Sequence, residues 1–292
     1  MTTYKEIHGT KVEVRDDDPA NPVNGQVWYN SQTLKGFKSN PAGAWASGGN
    51  LNSGRSQAGT TGTQTAALAT GGFPGPSGSA VTESYNGSSW TEVNDLNTAR
   101  RILAQSGSYT ASVAFGGGFP AKDETESWNG TSWTEVNDLN TAKSFIGGSG
   151  TQTAGLAIGG PGTNAETESW NGTSWTEVND LNTGRQVYST ANFTQTSSLV
   201  AGGSPPATAK TESWNGTSWT ETTDLNTARA HLGLTGADNT SALAFGGEPG
   251  SGTVALTESW NGSSWTEKGD LATARHYVGS AGTATAGFAI GG

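Results

Sequence analysis

Short runs of four to eight residues, rich in Thr, Val and aromatics, alternate along the chain with clusters of Gly, Asn, Asp and Ser. β-Branched and aromatic side chains suit a pleated, half-buried surface, and the clusters supply turns, so strands are predicted throughout and no helix of useful length. The runs repeat. The phrase TESWNGTSWTEVNDLNTAR recurs with small changes, and its second aromatic falls at Trp45, Trp90, Trp133, Trp175, Trp219 and Trp265, a period near 44 residues. A basic residue follows ten positions later each time, at Arg55, Arg100, Lys143, Arg185, Arg229 and Arg275. Glycine pairs close an apolar stretch at Gly72, Gly117, Gly160, Gly203, Gly247 and Gly292, so the landmarks mark six copies.

Each copy divides into four strands: one after the basic residue, one ending at the diglycine, one through TESW and one starting at the second Trp. Asn-Gly at Asn86, Asn129, Asn171, Asn215 and Asn261 predicts a tight type I′ hairpin between the last two, because both residues tolerate positive φ. Four-stranded units at this period predict the blades of a β-propeller. An open array would leave the final apolar strand, GFAIGG, with an uncovered edge. The chain also begins out of phase, with VWYNSQTLKGFK and AWASGGNLN ahead of any inner strand. The expected architecture is therefore all-β: a six-bladed β-propeller over residues 23–292, its last blade closed by N-terminal strands, preceded by an arm or attachment segment over 1–22.

The diglycine, the Glu-Ser-Trp that follows it, the second Trp and the Arg opening the next copy resemble the kelch type of β-propeller across about residues 23–292. The short NGTS link between the aromatics departs from the longer turn usual in kelch repeats. A second likeness is local. The stretch DPANPVNGQVWYNSQTLKGFK resembles a hairpin of bacteriophage virion structural and tail-fibre proteins. That resemblance implies a virion protein made in the host cytoplasm.

Composition narrows the chemistry. Hydrophobic residues make up only 32% of the 292, but 11 Trp, 6 Tyr and 8 Phe allow an aromatic-driven core. The absence of Cys excludes disulfides, thiol nucleophiles and zinc sites built on sulfur. A net charge of −10 disfavours nucleic acid and anionic membrane as partners, since phosphate binding needs clustered Lys and Arg. No run of 18 apolar residues and no signal-peptide h-region occurs, so neither membrane insertion nor a cleaved export signal is expected. His8, His231 and His276 show no metal-ligand spacing and no neighbouring nucleophile motif, and neither a metal nor another cofactor is expected.

The paired aromatics, such as Trp128 and Trp133, are expected to pack between blades. Each basic residue is expected to pair with the Asp five positions earlier (Asp95, Asp138, Asp180, Asp224, Asp270), with anion binding by an axial basic ring as the functional alternative. Comparison of the copies shows what the repeat does not hold fixed. One variable region is the loop after each diglycine, which nominates Phe73, Phe119, Pro161, Pro205 and Glu248 as binding contacts. The other is the triplet after each basic residue: Ser-Gln-Ala, Arg-Ile-Leu, Ser-Phe-Ile, Gln-Val-Tyr, Ala-His-Leu and His-Tyr-Val. In a four-stranded meander the loop after the diglycine and the NDLNTA connection between blades emerge on one face, where divergent loops on a rigid scaffold make a binding platform. The expected function is non-enzymatic: a tail-fibre-like virion protein binding host-surface glycan or another virion protein, and a possible homo-oligomer. The alternatives are a bacterial kelch-like adhesion or scaffold module, and a glycan-processing enzyme using carboxylates of the variable face.

Overall fold

The computed structural model describes residues 13–15, 27–30, 33–36, 45–74, 78–188 and 193–292. They fall into two compact units, Met1–Ala44 and Trp45–Gly292. In the first, β1 (Glu13–Arg15) runs parallel to β2 (Val27–Asn30), which forms an antiparallel hairpin with β3 (Thr33–Gly36). The strands anticipated in VWYN and TLKG are those of this hairpin. Most of the expected arm over 1–22 lies outside the described residues.

The second unit is an all-β propeller, with no helix among the described residues. Its first blade is the meander β4 (Gly59–Thr63), β5 (Ala66–Thr70), β6 (Thr82–Tyr85) and β7 (Trp90–Val93). The next blade holds β8 (Ala104–Gly107), β9 (Ser112–Phe115), β10 (Thr125–Trp128) and β11 (Trp133–Val136). It is followed by β12 (Gly147–Thr151), β13 (Ala154–Ile158), β14 (Thr167–Trp170) and β15 (Trp175–Val178). The fourth sheet has three strands, β16 (Ser198–Ala201), β17 (Thr211–Trp214) and β18 (Trp219–Thr222). Residues 189–192, near its expected innermost strand, are outside those described. A full blade follows, β19 (Gly233–Asp238), β20 (Ser241–Phe245), β21 (Thr257–Trp260) and β22 (Trp265–Glu267). The last sheet is β23 (Gly279–Thr283) paired with β24 (Ala286–Ile290). Six complete four-stranded blades are thus not what the described residues show: five sheets have three or four strands, and the sixth repeat supplies two.

The register explains the repeated phrase. Trp128 faces Trp133 across the outer hairpin, Ser127 faces Thr134 and Thr125 faces Val136. The two indoles lie 5.3 Å apart and both are buried. The Trp128 N–H donates to the Tyr109 carbonyl in its own blade, and the Trp133 N–H donates to the Thr82 hydroxyl of the preceding one. The bond to the preceding blade recurs as Trp175 to Thr125, Trp219 to Thr167 and Trp265 to Thr211. The expectation that these aromatics pack between blades is met, with an added reason for their constancy: a buried indole needs an acceptor. Leu68, Leu103, Trp128 and Trp133 form one such interblade cluster.

The outer hairpin is not the expected type I′ turn. Four residues link the two Trp, and only the glycine takes positive φ, +94° at Gly130. The Asn129 side-chain oxygen accepts from the Thr131 and Ser132 amides, both at 2.9 Å. Asn is therefore selected as an acceptor for loop amides rather than for left-handed backbone.

Candidate functional site

The basic landmarks are structural anchors. Arg55, Arg100, Lys143, Arg185 and Arg229 are at most 5% exposed, each paired with the Glu of the TES strand in its own sheet: Glu83, Glu126, Glu168, Glu212 and Glu258. The expected Asp partners are otherwise engaged. Asp95, Asp138, Asp180, Asp224 and Asp270 each accept from a backbone amide at the start of that same strand, as Asp138 does from Thr125 at 3.0 Å. A short polar side chain next to a turn reaches local amides more readily than a cation across the sheet, so Glu, not Asp, meets Arg. Each glutamate also accepts from the preceding Asn of the DLN phrase, as Glu126 does from the Asn97 amide at 2.7 Å and side chain at 2.9 Å. Burial depresses the Arg100 pKa from its ordinary value, against the pull of Glu126. Five of the six ring cations thus face carboxylates inside the sheets. Arg275 instead donates to the Gly291 carbonyl, and the Asn that should precede it is Ala272.

The residue two positions after the basic landmark carries unusual backbone. Gln57, Ile102, Phe145, His231 and Tyr277 all have φ between 53° and 59°. Such values are disfavoured for side chains with a Cβ, and for β-branched Ile102 most of all. The conformation lets these residues link repeats. The Ile102 amide donates to Gln57, Phe145 to Ile102, Val187 to Phe145, Tyr277 to His231 and Gln57 to Tyr277. The last bond joins the sixth copy to the first. Thr60 and Ser280 on the innermost strands bond directly at the same junction. The six copies therefore meet around an axis, and the variable triplets form its mouth.

The side chains of that mouth are aromatic. Phe119 contacts Phe145, whose ring lies 5.2 Å from Tyr188. Tyr188 meets His231 at 4.2 Å and Tyr277 at 5.2 Å, and His231 stacks on Tyr277 at 4.1 Å. His276 adjoins Tyr277 and shares a hydrogen bond with Thr253. Tyr188 donates to Gln186, which also accepts from Ser204. A small pocket beside the aromatic cluster is lined by Ile102, Leu103, Ile146 and Val278 together with Tyr188 and Tyr277. Burial pushes the His231 imidazole below its ordinary pKa, while Glu248 at 3.2 Å holds it up and His276 depresses it further. Burial likewise raises the Tyr188 and Tyr277 hydroxyls, so both remain hydrogen-bond donors at neutral pH.

The loop positions nominated from sequence lie on this face. Backbone bridges tie the loop after three of the diglycines to the first residue of the variable triplet: Phe73 to Ser56, Ser204 to Gln186 and Glu248 to Ala230. Phe73 and Phe119 are joined through Arg101, whose guanidinium sits 4.7 Å and 5.8 Å from their ring centres. Glu248 reaches the cluster through His231. Pro161 and Pro205 stand exposed on their loops. Sequence reasoning passed over Arg101, Phe145, Tyr188 and Tyr277 as individual contacts. The signal was present in the variability of the triplets, but the left-handed turn that presents them has no glycine to announce it.

No protein-family model and no curated protein matches the chain.

Proposed function

We propose that the protein is a non-enzymatic binding module, a tail-fibre-like phage virion protein whose axial mouth engages host-surface glycan. One observation carries the reading: the two regions in which the copies differ converge on one half-exposed aromatic surface. Aromatic faces suit the apolar faces of sugar rings, and the Tyr and His polar edges supply orienting hydrogen bonds. Strained backbone at the mouth supports a functional demand there, since five residues hold a conformation costing roughly 1 kcal/mol each. The N-terminal resemblance to virion proteins supplies the biological setting, and another virion protein is the competing occupant.

In this reading the propeller is six-bladed and kelch-type, and residues preceding Trp45 give the last blade its outer strands. Trp45 supports this. Its indole N–H donates to the Thr257 hydroxyl at 3.0 Å, the same bond to the neighbouring blade that Trp133, Trp175, Trp219 and Trp265 make. Arg275, which has no carboxylate partner among the described residues, fits as well. Residues 23–44 contain no Glu to offer, and Ala272 stands where the other copies have Asn.

A glycan array probed with the intact chain tests the function. Retention of a defined set of sugars is expected; retention of none, at micromolar protein, would overturn the glycan reading.

A further inference from the structure

Among the described residues, only three large hydrophobic side chains are exposed: Phe73 at 37%, Tyr109 at 43% and Phe119 at 71%. Two of the three flank a single cation, Arg101. That cation is itself exceptional. The chain carries a net charge of −10, and seven of the cationic side chains in the propeller unit (Arg55, Arg100, Lys122, Lys143, Arg185, Lys210 and Arg229) are held against carboxylates. Arg101 has no carboxylate partner among the described residues. It occupies a half-exposed position at the mouth, where its fellow landmarks carry Ser, Gln, Ala or His.

A guanidinium lying over aromatic faces is fixed in orientation by cation–π contact while its N–H edges stay free to donate. Its planar fork matches a carboxylate and forms two parallel charge-assisted hydrogen bonds with it. An exposed ring on either side gives a sugar somewhere to stack as its acid group meets the fork. We infer that the Phe73–Arg101–Phe119 rim selects acidic sugars, those bearing a carboxylate on the ring such as uronic or sialic acids, over neutral ones. This rests on the glycan reading above and names the class of sugar. The strongly negative net charge argues against nonspecific adsorption of polyanions, so acid preference has to come from a local site.

The test compares four chains, the wild type and three variants, on one array that carries uronate- and sialate-containing oligosaccharides together with neutral counterparts, including carboxyl-reduced versions of the uronates. The wild type should bind acidic members about tenfold more tightly than the reduced ones. Arg101→Gln should erase that ratio while leaving neutral binding in place, and Arg101→Lys should restore part of it. Phe119→Ala should weaken acidic and neutral members alike. Equal binding of acidic and reduced sugars by the wild type, or a ratio unchanged by Arg101→Gln, would overturn the acid preference and leave the glycan reading standing. Absence of any sugar binding, with retention of a poly-glutamate peptide in its place, would overturn both. Unfolding midpoints of the variants, expected to match the wild type because both substituted positions are at the rim, separate lost binding from lost fold.

Discussion

Glu126→Ala should lower the stability of the propeller by about 3–5 kcal/mol, the range for removing one partner of a buried ion pair. Its carboxylate accepts from the Arg100 guanidinium at 2.9 Å, from the amide and side chain of Asn97 and from the Thr98 amide. Arg100 is fully buried and cannot discard its charge by deprotonation, since a guanidinium stays protonated even when burial depresses it. Alanine would leave that cation facing two backbone carbonyls, at Gly116 and Glu124, without its hydrogen-bonded counter-charge and with only the weaker pull of the Glu124 and Asp138 carboxylates. Three further donors would lose their acceptor in the same stroke. Urea titration monitored by the Trp fluorescence would read the loss as a shift in midpoint at unchanged slope. Pairing the change with Arg100→Met should return part of the stability by removing the stranded charge, and the Asn97 and Thr98 amides would account for the remainder. A loss below about 1 kcal/mol would mean that water reaches the socket and that the landmark pairs are ordinary surface contacts.

Trp45→Ala should cost about 3 kcal/mol, near the lower end for truncating a packed Trp. Trp45 is only partly buried, yet it packs edge-on against Phe245 at 4.8 Å and lies against the cluster of Phe245, Leu271 and Val278. It also satisfies Thr257 on the fifth sheet. An equivalent contact is made by Trp175, which meets Phe115 at 4.8 Å with the same edge geometry. Tyr109→Ala, at an exposed position on the opposite face, should change the midpoint by less than about 0.5 kcal/mol and serves as the reference. A Trp45→Ala effect no larger than that reference would contradict the packing of Trp45 into the propeller.

The sheet architecture was legible because it is written six times. Strand limits followed from TESW and WTEV, whose register sets aromatic opposite aromatic, and interblade packing followed from the repetition of the Trp pair. What escaped was long-range pairing of polar groups. The Asp near each Arg in sequence was the obvious partner, whereas Glu126 lies 26 residues from Arg100 and meets it only when the blade folds. A clue existed in the chain itself: five copies combine an Asn, in DLN four times and in NLN once, with a downstream TES glutamate, and the copy that lacks the glutamate has Ala272 in place of Asn. The mouth escaped for another reason. Gln57, Ile102, Phe145, His231 and Tyr277 share a left-handed backbone imposed by hydrogen bonds between repeats, and no local propensity of Ile or Phe foretells it. The hairpin at Asn129 was found for a partly mistaken reason, as its Asn caps amides and leaves positive φ to Gly130 alone.

Hydrogen exchange on the intact chain, with and without a sugar retained on the array, addresses most directly whether the variable mouth is where binding occurs. Slower exchange is predicted for the loops over 118–123, 204–208 and 248–253, which adjoin the aromatic strip. The turns at 108–111, 129–132 and 171–174, set apart from the mouth, should exchange as before. Slowing confined to those turns, with the mouth loops unchanged, would contradict the account.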